Sequence, residues 1–272
     1  MTTDFDNIQD FLIEVDGLID GMYFEHNYLV DGISRVGYFQ QEYHESYIVR
    51  DQESWVVGFC FAGNYMLYGK NWNNKQLIVI KDLLKRHSYN KGFHFSGTAE
   101  LIKDLFAEKN YKLFKHRIFY EAVNITSVNK LELIPRLAKV EELDILTQMT
   151  CDYFHEEYKG QNDKDFEKIK PSVLNSIQKK CIWVLENDGQ IISKCSIIMT
   201  QFESPIIGSF YTIQESRNQG FGTRLLEFVS NHLLKEYKSV CLLSDKNNIE
   251  SNIVFKRLNF INKYETRDIT VE

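Results

Sequence analysis

The sequence of 272 residues has no concentrated basic segment, and no run of Lys and Arg is longer than a pair such as Lys179-Lys180. Nucleic-acid-binding domains normally carry a basic patch or stripe, whereas the formal net charge here is −6 at pH 7. We therefore expect no nucleic-acid partner. An acidic balance suits a cationic substrate such as an amine, although mild acidity mostly serves solubility.

Metal-binding and disulfide spacings are also missing. None of the five cysteines forms a CxxC or Cys/His motif; they are Cys60, Cys151, Cys181, Cys195 and Cys241. Structural zinc sites and disulfide frameworks require such spacings. We expect no metal and no disulfide, with the cysteines acting as small buried hydrophobes in a reducing compartment.

Long apolar runs are missing as well. No segment approaches the ~18 apolar residues that a membrane-spanning helix needs. The amino terminus, Met1 to Asp6, is acidic and polar, unlike a signal peptide. These patterns predict a cytoplasmic protein with no membrane partner.

What is present is the composition of a folded protein, with 43% hydrophobic and 26% charged residues. Disorder, collagen and coiled coil are excluded by these proportions. The length exceeds one domain of ~100 to 150 residues. The polar segment 124–130 lacks periodicity, so we predict an N-terminal domain at 1–128 and a C-terminal domain at 131–272.

Hydrophobic periodicity predicts alternating helices and strands in both parts. In the first part we expect a helix capped by Thr3 or Asp4, strands at 54–61 and 65–68, a helix at 75–86, a short strand at 93–95, a helix from Thr98 and a strand at 112–123. In the second part, Asn187-Asp188-Gly189 is typical of a hairpin turn. Pro171 is expected to begin a helix, and a third strand should end at Ile213. The predicted fold is α/β (α+β) with a mixed sheet flanked by helices.

A glycine-containing loop, Arg217-Asn218-Gln219-Gly220-Phe221-Gly222, separates that third strand from the next predicted helix. Glycines let the backbone turn sharply and expose successive N–H groups. At a helix amino terminus such donors bind phosphate groups. Many helices begin after glycine for structural reasons alone, so the loop leaves both interpretations open. A P-loop and a GxGxxG dinucleotide motif fit worse, because no Lys-Ser/Thr follows and Leu225 occupies the third glycine position.

The loop resembles the Arg/Gln-x-x-Gly-x-Gly/Ala signature of the GNAT superfamily of acetyl-CoA-dependent N-acyltransferases, with Arg217, Gly220 and Gly222 in the signature positions. The stretch from Asn248 to Phe260 looks like the second signature of that family, in the expected order. Two ordered signatures are harder to obtain by chance than one. The resemblance covers roughly residues 131 to 270 and implies a GNAT-like C-terminal domain.

This resemblance implies acetyl-CoA as co-substrate and a strand that splays from its neighbour to meet the pantetheine arm. The cofactor-binding residues that it implies are Tyr211, Thr212, Ile213, Arg217, Asn218, Gln219, Gly220, Phe221, Gly222, Thr223, Asn248 and Phe255. Phe255 lies at helical spacing from Leu258, so core packing is its alternative interpretation.

Acetyl transfer to an amine requires a neutral amine, a polarised carbonyl and a departing thiolate. Many family members place a Tyr where this chain has Phe255, so no hydroxyl is available there as an acid. Asn259 replaces the usual Gly before Phe260. The catalytic candidates are Glu203, Glu156 and His155, with Glu157 beside them; each has the alternative of a solvated surface group.

A gapless alignment of the two halves places Tyr111 on Phe260 and Asn71-Trp72-Asn73 on Gly220-Phe221-Gly222. It indicates an internal repeat, with chance matching of apolar residues as the alternative. The first copy would be a smaller, degenerate GNAT-like domain that has lost its phosphate loop and does not bind coenzyme A.

The leading hypothesis is therefore an N-acetyltransferase that moves an acetyl group from acetyl-CoA to a primary amine on a small molecule or peptide. One alternative is a non-catalytic acyl-CoA sensor, suggested by the missing Tyr. Another is a tRNA-dependent aminoacyl transferase, since such enzymes also duplicate this fold. The sequence names neither the acceptor nor the oligomeric state.

Overall fold

The structure is a computed structural model that describes residues 1–39, 45–61, 63–86, 94–128, 131–200 and 204–271. The chain divides into two compact units. The first unit comprises Met1–Phe119, Asp245–Asn247 and Asn262–Glu272, and the second comprises Tyr120–Ser244 and Asn248–Ile261. The end of the chain thus belongs to the first unit. The division into domains at 1–128 and 131–272 stays a prediction.

The first half of the chain contains six strands and four helices in its described residues. In chain order they are β1 (Thr2–Asp4), α1 (Ile8–Ile19), α2 (Asn27–Phe39), β2 (Glu45–Asp51), β3 (Ser54–Phe61), β4 (Asn64–Lys70), α3 (Asn74–Arg86), β5 (His94–Thr98), α4 (Ala99–Leu105) and β6 (Tyr111–Ala122).

The second half repeats the same order of strands and helices, with two short 3₁₀ turns added. Its elements are β7 (Arg136–Leu137), α5 (Leu143–Tyr158), α6 (Phe166–Gln178), β8 (Ile182–Asn187), β9 (Gln190–Ile198), β10 (Ile206–Thr212), α7 (Phe221–Leu233), β11 (Val240–Asp245), α8 (Ile249–Arg257) and β12 (Ile261–Val271).

This repeated order confirms the internal duplication, but not the gapless alignment. Helix α7 begins 147 residues after α3, at Phe221 against Asn74, whereas β12 begins 150 residues after β6. Small insertions therefore separate the copies. By helix position Asn73, rather than Asn71, is the counterpart of Gly220, because each residue directly precedes the first residue of its helix.

In the first unit, β1 to β4 are antiparallel neighbours, β4 runs parallel to β5, and residues 266–270 of β12 run antiparallel to β5. Alternate strand residues face opposite sides of a sheet. Ile48 accordingly packs with α1 and α2, whereas its neighbours Tyr47 and Val49 pack with α3 and α4. Helices thus cover both faces of the sheet.

In the second unit, β7 to β10 are antiparallel neighbours and β10 runs parallel to β11. The core on one face joins α5 and α6 to β8, β9 and β10. On the other face, α7 packs against β8, with Trp183 against Phe228 at 5.7 Å between ring centroids. The mixed sheet flanked by helices confirms the predicted fold class.

The hairpin turn between β8 and β9 also agrees with its prediction. Asp188 and Gly189 both have positive φ, 51° and 77°, as a type I′ turn requires. Other local predictions were wrong. Helix α1 is capped by Asn7, whose side chain accepts from the amide of Gln9, because Thr3 and Asp4 belong to β1. Helix α6 begins at Phe166 with Asp165 as its cap, so Pro171 lies inside the helix.

Candidate functional site

A cleft of about 320 Å³ lies within the second unit, beside the end of β10 and the first turns of α7 and α8. Nine of the twelve predicted cofactor-binding residues line it. They are Tyr211, Thr212, Arg217, Asn218, Gly220, Phe221, Gly222, Thr223 and Asn248. The cleft thus collects the ends of three elements that are distant in sequence.

The amino terminus of α7 forms one wall of this cleft. The first hydrogen bond within the helix is donated by Arg224 to the carbonyl of Gly220, at 2.9 Å. The N–H groups of Phe221, Gly222 and Thr223 therefore precede the helical hydrogen-bond pattern. Gly220 has φ of +84° and provides no side-chain cap. Three residues with N–H groups at the positive end of a 13-residue helix line the cleft.

Two positions in the preceding loop adopt the left-handed conformation, Asn218 at φ +61° and Gly220 at φ +84°. Alternation of left- and right-handed residues turns successive N–H groups toward one concave side, which favours anion binding. Gly222 has a different requirement. A Cβ there would lie 2.9 Å from Oγ1 of Thr212 and 3.1 Å from Cζ of Phe210. Gly222 therefore lets α7 approach β10 closely.

The opposite wall is made by β10 where it leaves β11. The two strands pair only at Ile206 with Cys241 and at Ile207 with Leu242. Beyond these pairs β10 continues to Thr212, and its residues Phe210, Tyr211 and Thr212 line the cleft. At Tyr211 and Thr212 the strand thus diverges from β11 as predicted, whereas Ile213 lies beyond its end. Contact of these residues with a pantetheine arm stays a prediction.

Arg217 is engaged by protein groups. Its Nη2 lies 2.9 Å from both carboxylate oxygens of Glu156, and its Nε donates to the carbonyl of Thr212 at 2.9 Å. The guanidinium also lies over the ring of Tyr211, 5.4 Å from the centroid. Burial alone would lower the pKa of Arg217, but hydrogen bonds to Glu156 raise it. The cation predicted to attract phosphate is therefore already paired with a carboxylate.

Tyr211 completes this cluster. Its hydroxyl donates to Glu156 at 3.3 Å. Burial, with the nearby Glu156 carboxylate as the next cause, raises the pKa of Tyr211 to about 12. The phenol is therefore neutral at physiological pH and remains a hydrogen-bond donor.

Asn248 is the N-cap of α8, and its side chain accepts a hydrogen bond from the amide of Ser251 at 3.2 Å. Phe255, about two turns further on, is 5% exposed and packs against the rings of Tyr120, Phe210 and Phe260. Phe255 is not among the residues lining the cleft, and neither are Ile213 and Gln219. The side chain of Gln219 instead donates to the carbonyl of Glu215.

The catalytic candidates fall in different places. Glu156 and Glu157 line the cleft. His155 is 65% exposed, pairs with Asp163 at 3.0 Å and does not line the cleft. Glu203 lies outside the described residues. The roles of Glu156 and His155 stay predictions.

Several lining residues were not identified from the sequence. They are Tyr153, Phe210, Ser216, Glu250, Ser251 and Val254. For Ser251 a signal was available, since it lies three residues after Asn248 and so on the same helix face. No comparable local signal marks Tyr153 of α5, which reaches the cleft only through the tertiary fold.

Within the described ranges, no three His, Cys, Asp or Glu side chains come together in a geometry that could hold a metal ion. In the same part of the chain, no helix has the length and apolar content needed to cross a bilayer.

Comparisons with known proteins agree with this geometry. Residues 178–262 match the family model described as an acetyltransferase (GNAT) domain. No curated protein matches the sequence significantly. The family-model match at residues 178–262 includes the β8–β9 hairpin, the glycine loop and the second signature.

Solved structures resemble the whole chain at low sequence identity. A GNAT-family acetyltransferase from Colwellia psychrerythraea is 12% identical, with 100% of both chains covered and a TM-score of 0.63. A GCN5-related N-acetyltransferase from Sphaerobacter thermophilus is 13% identical over 99% of this chain and 94% of its own, with a TM-score of 0.62. A tandem GNAT protein from the clavulanic acid biosynthesis pathway is 11% identical over 100% of this chain and 98% of its own, with a TM-score of 0.51. The chain therefore has the fold of the GNAT acetyltransferases, and residues 178–262 match the model of the GNAT acetyltransferase domain.

Proposed function

We propose that the protein is an N-acetyltransferase that transfers an acetyl group from acetyl-CoA to the primary amine of a small molecule or peptide. Acetyl-CoA occupies the cleft of the second unit, with its diphosphate at the amino terminus of α7 and its pantetheine arm along the splayed end of β10. The proposed cellular location is the cytoplasm, where acetyl-CoA would be available as co-substrate.

The observation that supports this proposal most strongly is the uncapped start of α7. Phe221, Gly222 and Thr223 line the cleft with N–H groups that precede the first helical hydrogen bond. Together with the helix dipole, such donors bind phosphate through charge-assisted hydrogen bonds. A diphosphate therefore fits this wall better than an apolar ligand.

The reaction needs little from side chains. The amine nitrogen attacks the thioester carbon, the C–S bond breaks, the thiolate of coenzyme A leaves, and the amine loses one proton to solvent water. A main-chain N–H on β10 can polarise the carbonyl. A coenzyme A thiol with a pKa near ~8.5 is a tolerable leaving group without an acid. The absence of a hydroxyl at Phe255 is therefore compatible with turnover.

The test compares two glycines with similar backbone conformations. Gly220 (φ +84°) lies at the cleft, and Gly189 (φ +77°) lies in the β8–β9 turn with open space where a Cβ would stand. Replacing either residue with Ala imposes a similar backbone penalty of ~1 kcal/mol. We expect Gly220→Ala to weaken coenzyme A binding at least tenfold in calorimetry, and Gly189→Ala to leave it unchanged. Equal effects would contradict the assigned phosphate site.

Turnover is tested with acetyl-CoA and a broad pool of amines, by following the release of free thiol. The proposal expects amine-dependent release that Gly220→Ala reduces. Binding without release for every amine would favour the second candidate, an acyl-CoA sensor. That candidate is supported by the buried Phe255, which brings no hydroxyl to the cleft, and by the hydrogen bonds that engage Glu156 with Arg217.

A further inference from the structure

Lys194 of β9 is fully buried, at 0% exposure, and its Nζ donates to Oγ of Ser209 on β10 at 2.8 Å. Burial lowers the pKa of Lys194 to about 8. The other titratable groups that act on it are the thiols of Cys195 and Cys151, from β9 and α5. Within the described ranges no carboxylate acts on this ammonium. A buried charge without such a partner is costly, so its position in the fold needs an explanation.

Ser209 lies in a β-bulge. Gly208 pairs with Ser196 and Tyr211 pairs with Lys194, so both Ser209 and Phe210 lie opposite the single residue Cys195. Ser209 has a φ of +46°, a left-handed conformation that residues other than Gly rarely adopt. The hydrogen bond from Lys194 reaches the side chain of this strained residue.

The bulge begins just after β10 stops pairing with β11, since the last pair joins Ile207 to Leu242. Phe210 of the bulge and the two residues that follow it, Tyr211 and Thr212, line the cleft. In a strand, alternate residues direct their N–H groups to opposite neighbours, and one extra residue reverses that alternation. The bulge therefore sets which main-chain groups of β10 face the open side.

The far end of β10 is anchored separately. Oγ of Ser193 lies 3.1 Å from the carbonyl oxygen of Tyr211 and 2.9 Å from Oγ1 of Thr212. Thr212 in turn lies against Gly222 at the start of α7. The diphosphate wall thus has its own support, and the contact from Lys194 acts at the bulge.

We infer that Lys194 is a positioning residue, which fixes the bulge at Ser209 and so the main-chain groups of β10 that contact the acyl end of acetyl-CoA. This inference rests on the proposed function for the identity of the ligand. Without the ammonium, Ser209 loses the contact that holds its left-handed conformation and relaxes. A glycine at position 209 adopts that conformation without strain, so the bulge then persists without the lysine.

The ligand experiment measures the dissociation constants of acetyl-CoA and coenzyme A by calorimetry on the full chain. Lys194→Met should weaken acetyl-CoA about fivefold relative to coenzyme A, the size of one lost hydrogen bond. Ser209→Gly alone should change neither constant, and Lys194→Met with Ser209→Gly should restore the original ratio. A ratio unchanged in Lys194→Met, or not restored in the double variant, would overturn the inference. Failure of the wild-type protein to bind either ligand would instead overturn the proposed function.

A second experiment follows the backbone conformation of the bulge by nuclear magnetic resonance, without any ligand. The amide resonances of Ser209 and Phe210 should shift between the wild type and Lys194→Met. Between Ser209→Gly and the double variant, the amide resonances of residues 209 and 210 should stay at nearly the same position. The thermal midpoint of Lys194→Met should not fall, because a buried charge is removed. Unmoved resonances, or a loss of stability that explains the loss of acetyl-CoA binding, would contradict a positioning role.

Discussion

The amino termini of α3 and α7 occupy the same place in the two repeats, yet only α3 is closed by side chains. Before α3, Oδ1 of Asn73 accepts from the amide of Gln76 at 3.1 Å, and Oε1 of Gln76 accepts from the amide of Asn73 at 3.0 Å. This reciprocal pair is a capping box. Before α7 stands Gly220, with no side-chain cap. One helix start thus has two amides bound by its own side chains, and the other has no side-chain cap.

The adjacent strands differ in the same sense. In the first unit, β4 and β5 pair from Asn64 with His94 through Leu67 with Gly97, and the amide of Gly69 then donates to Oγ1 of Thr98 at 3.0 Å. In the second unit, β10 and β11 pair at two positions only. The β3–β4 ladder also has a continuous register, whereas the β9–β10 ladder contains the bulge. We therefore propose that the first unit does not bind coenzyme A.

The largest expected effect comes from a side chain that would force the paired strands β4 and β5 apart. A Cβ on Gly97 would lie 1.7 Å from the carbonyl oxygen of Leu67, at a φ of +153°. We expect Gly97→Ala to lower the free energy of unfolding by about 4 kcal/mol, because backbone must move. Gly63→Ala is the matched control, since Gly63 has a φ of +76° and open space around it; its cost should be about 1 kcal/mol. Equal losses in urea unfolding would show that β4 and β5 are not tightly closed.

The next prediction concerns the buried charge of Lys194 in the second unit. The pKa of Lys194 is lowered from 10.5 to about 8 in the folded state. Below pH 8 both states are protonated, and the penalty on the folded state, about 3 kcal/mol, is fully present; it fades as pH rises toward 10.5. The stability gained by Lys194→Met over the wild type should therefore be largest near pH 7 and smaller at pH 10.

This difference is measured by urea unfolding of both proteins at each pH. Burial raises the pKa values of tyrosines such as Tyr47 and Tyr68. Their contribution to the pH dependence of stability is the same in both proteins, so it cancels in the difference. A stability difference that does not depend on pH would contradict a charged, buried Lys194.

Introducing the capping box of α3 at the start of α7 should give α7 a side-chain cap. Gly220→Asn with Thr223→Gln places the residues of Asn73 and Gln76 at the equivalent positions of α7. We expect coenzyme A binding to weaken about a hundredfold, because side-chain oxygens compete for the amides that the diphosphate needs. The reverse change, Asn73→Gly with Gln76→Thr, should create no binding, since β4 and β5 remain closed. Unchanged coenzyme A affinity in the Gly220→Asn, Thr223→Gln variant would show that the ligand does not bind at the start of α7.

The smallest expected effect comes from the carboxylate that occupies Arg217. Glu156→Gln removes a negative charge from the cleft and weakens the hold on the guanidinium. We expect coenzyme A affinity to rise about threefold to tenfold at low salt, and less at high salt because the groups are partly exposed. Glu250→Gln, which also removes a cleft carboxylate, is the control for charge alone. A fall in affinity for Glu156→Gln would mean that Glu156 orients Arg217 for the ligand.

Local chemistry made part of the fold and part of the candidate site predictable from the sequence. The turn at Asp188-Gly189 and the loop at Gly220 depend on conformations that few residues adopt, so neighbouring residues suffice to identify them. The pairing of Arg217 with Glu156 joins residues 61 positions apart, and no local pattern encodes it. The same holds for Lys194, whose burial depends on α5. Helix α2 was not predicted, and α6 begins earlier than predicted because Asp165 caps it and the helix accommodates Pro171.

The most direct measurement is the response of backbone amides in the full chain to coenzyme A, followed by nuclear magnetic resonance. The account predicts one bound ligand per chain, with large shifts for the amides of Phe221, Gly222 and Thr223 and none for those of Asn74, Lys75 and Gln76. Two ligands per chain, or shifts at the start of α3 with none at the start of α7, would contradict it.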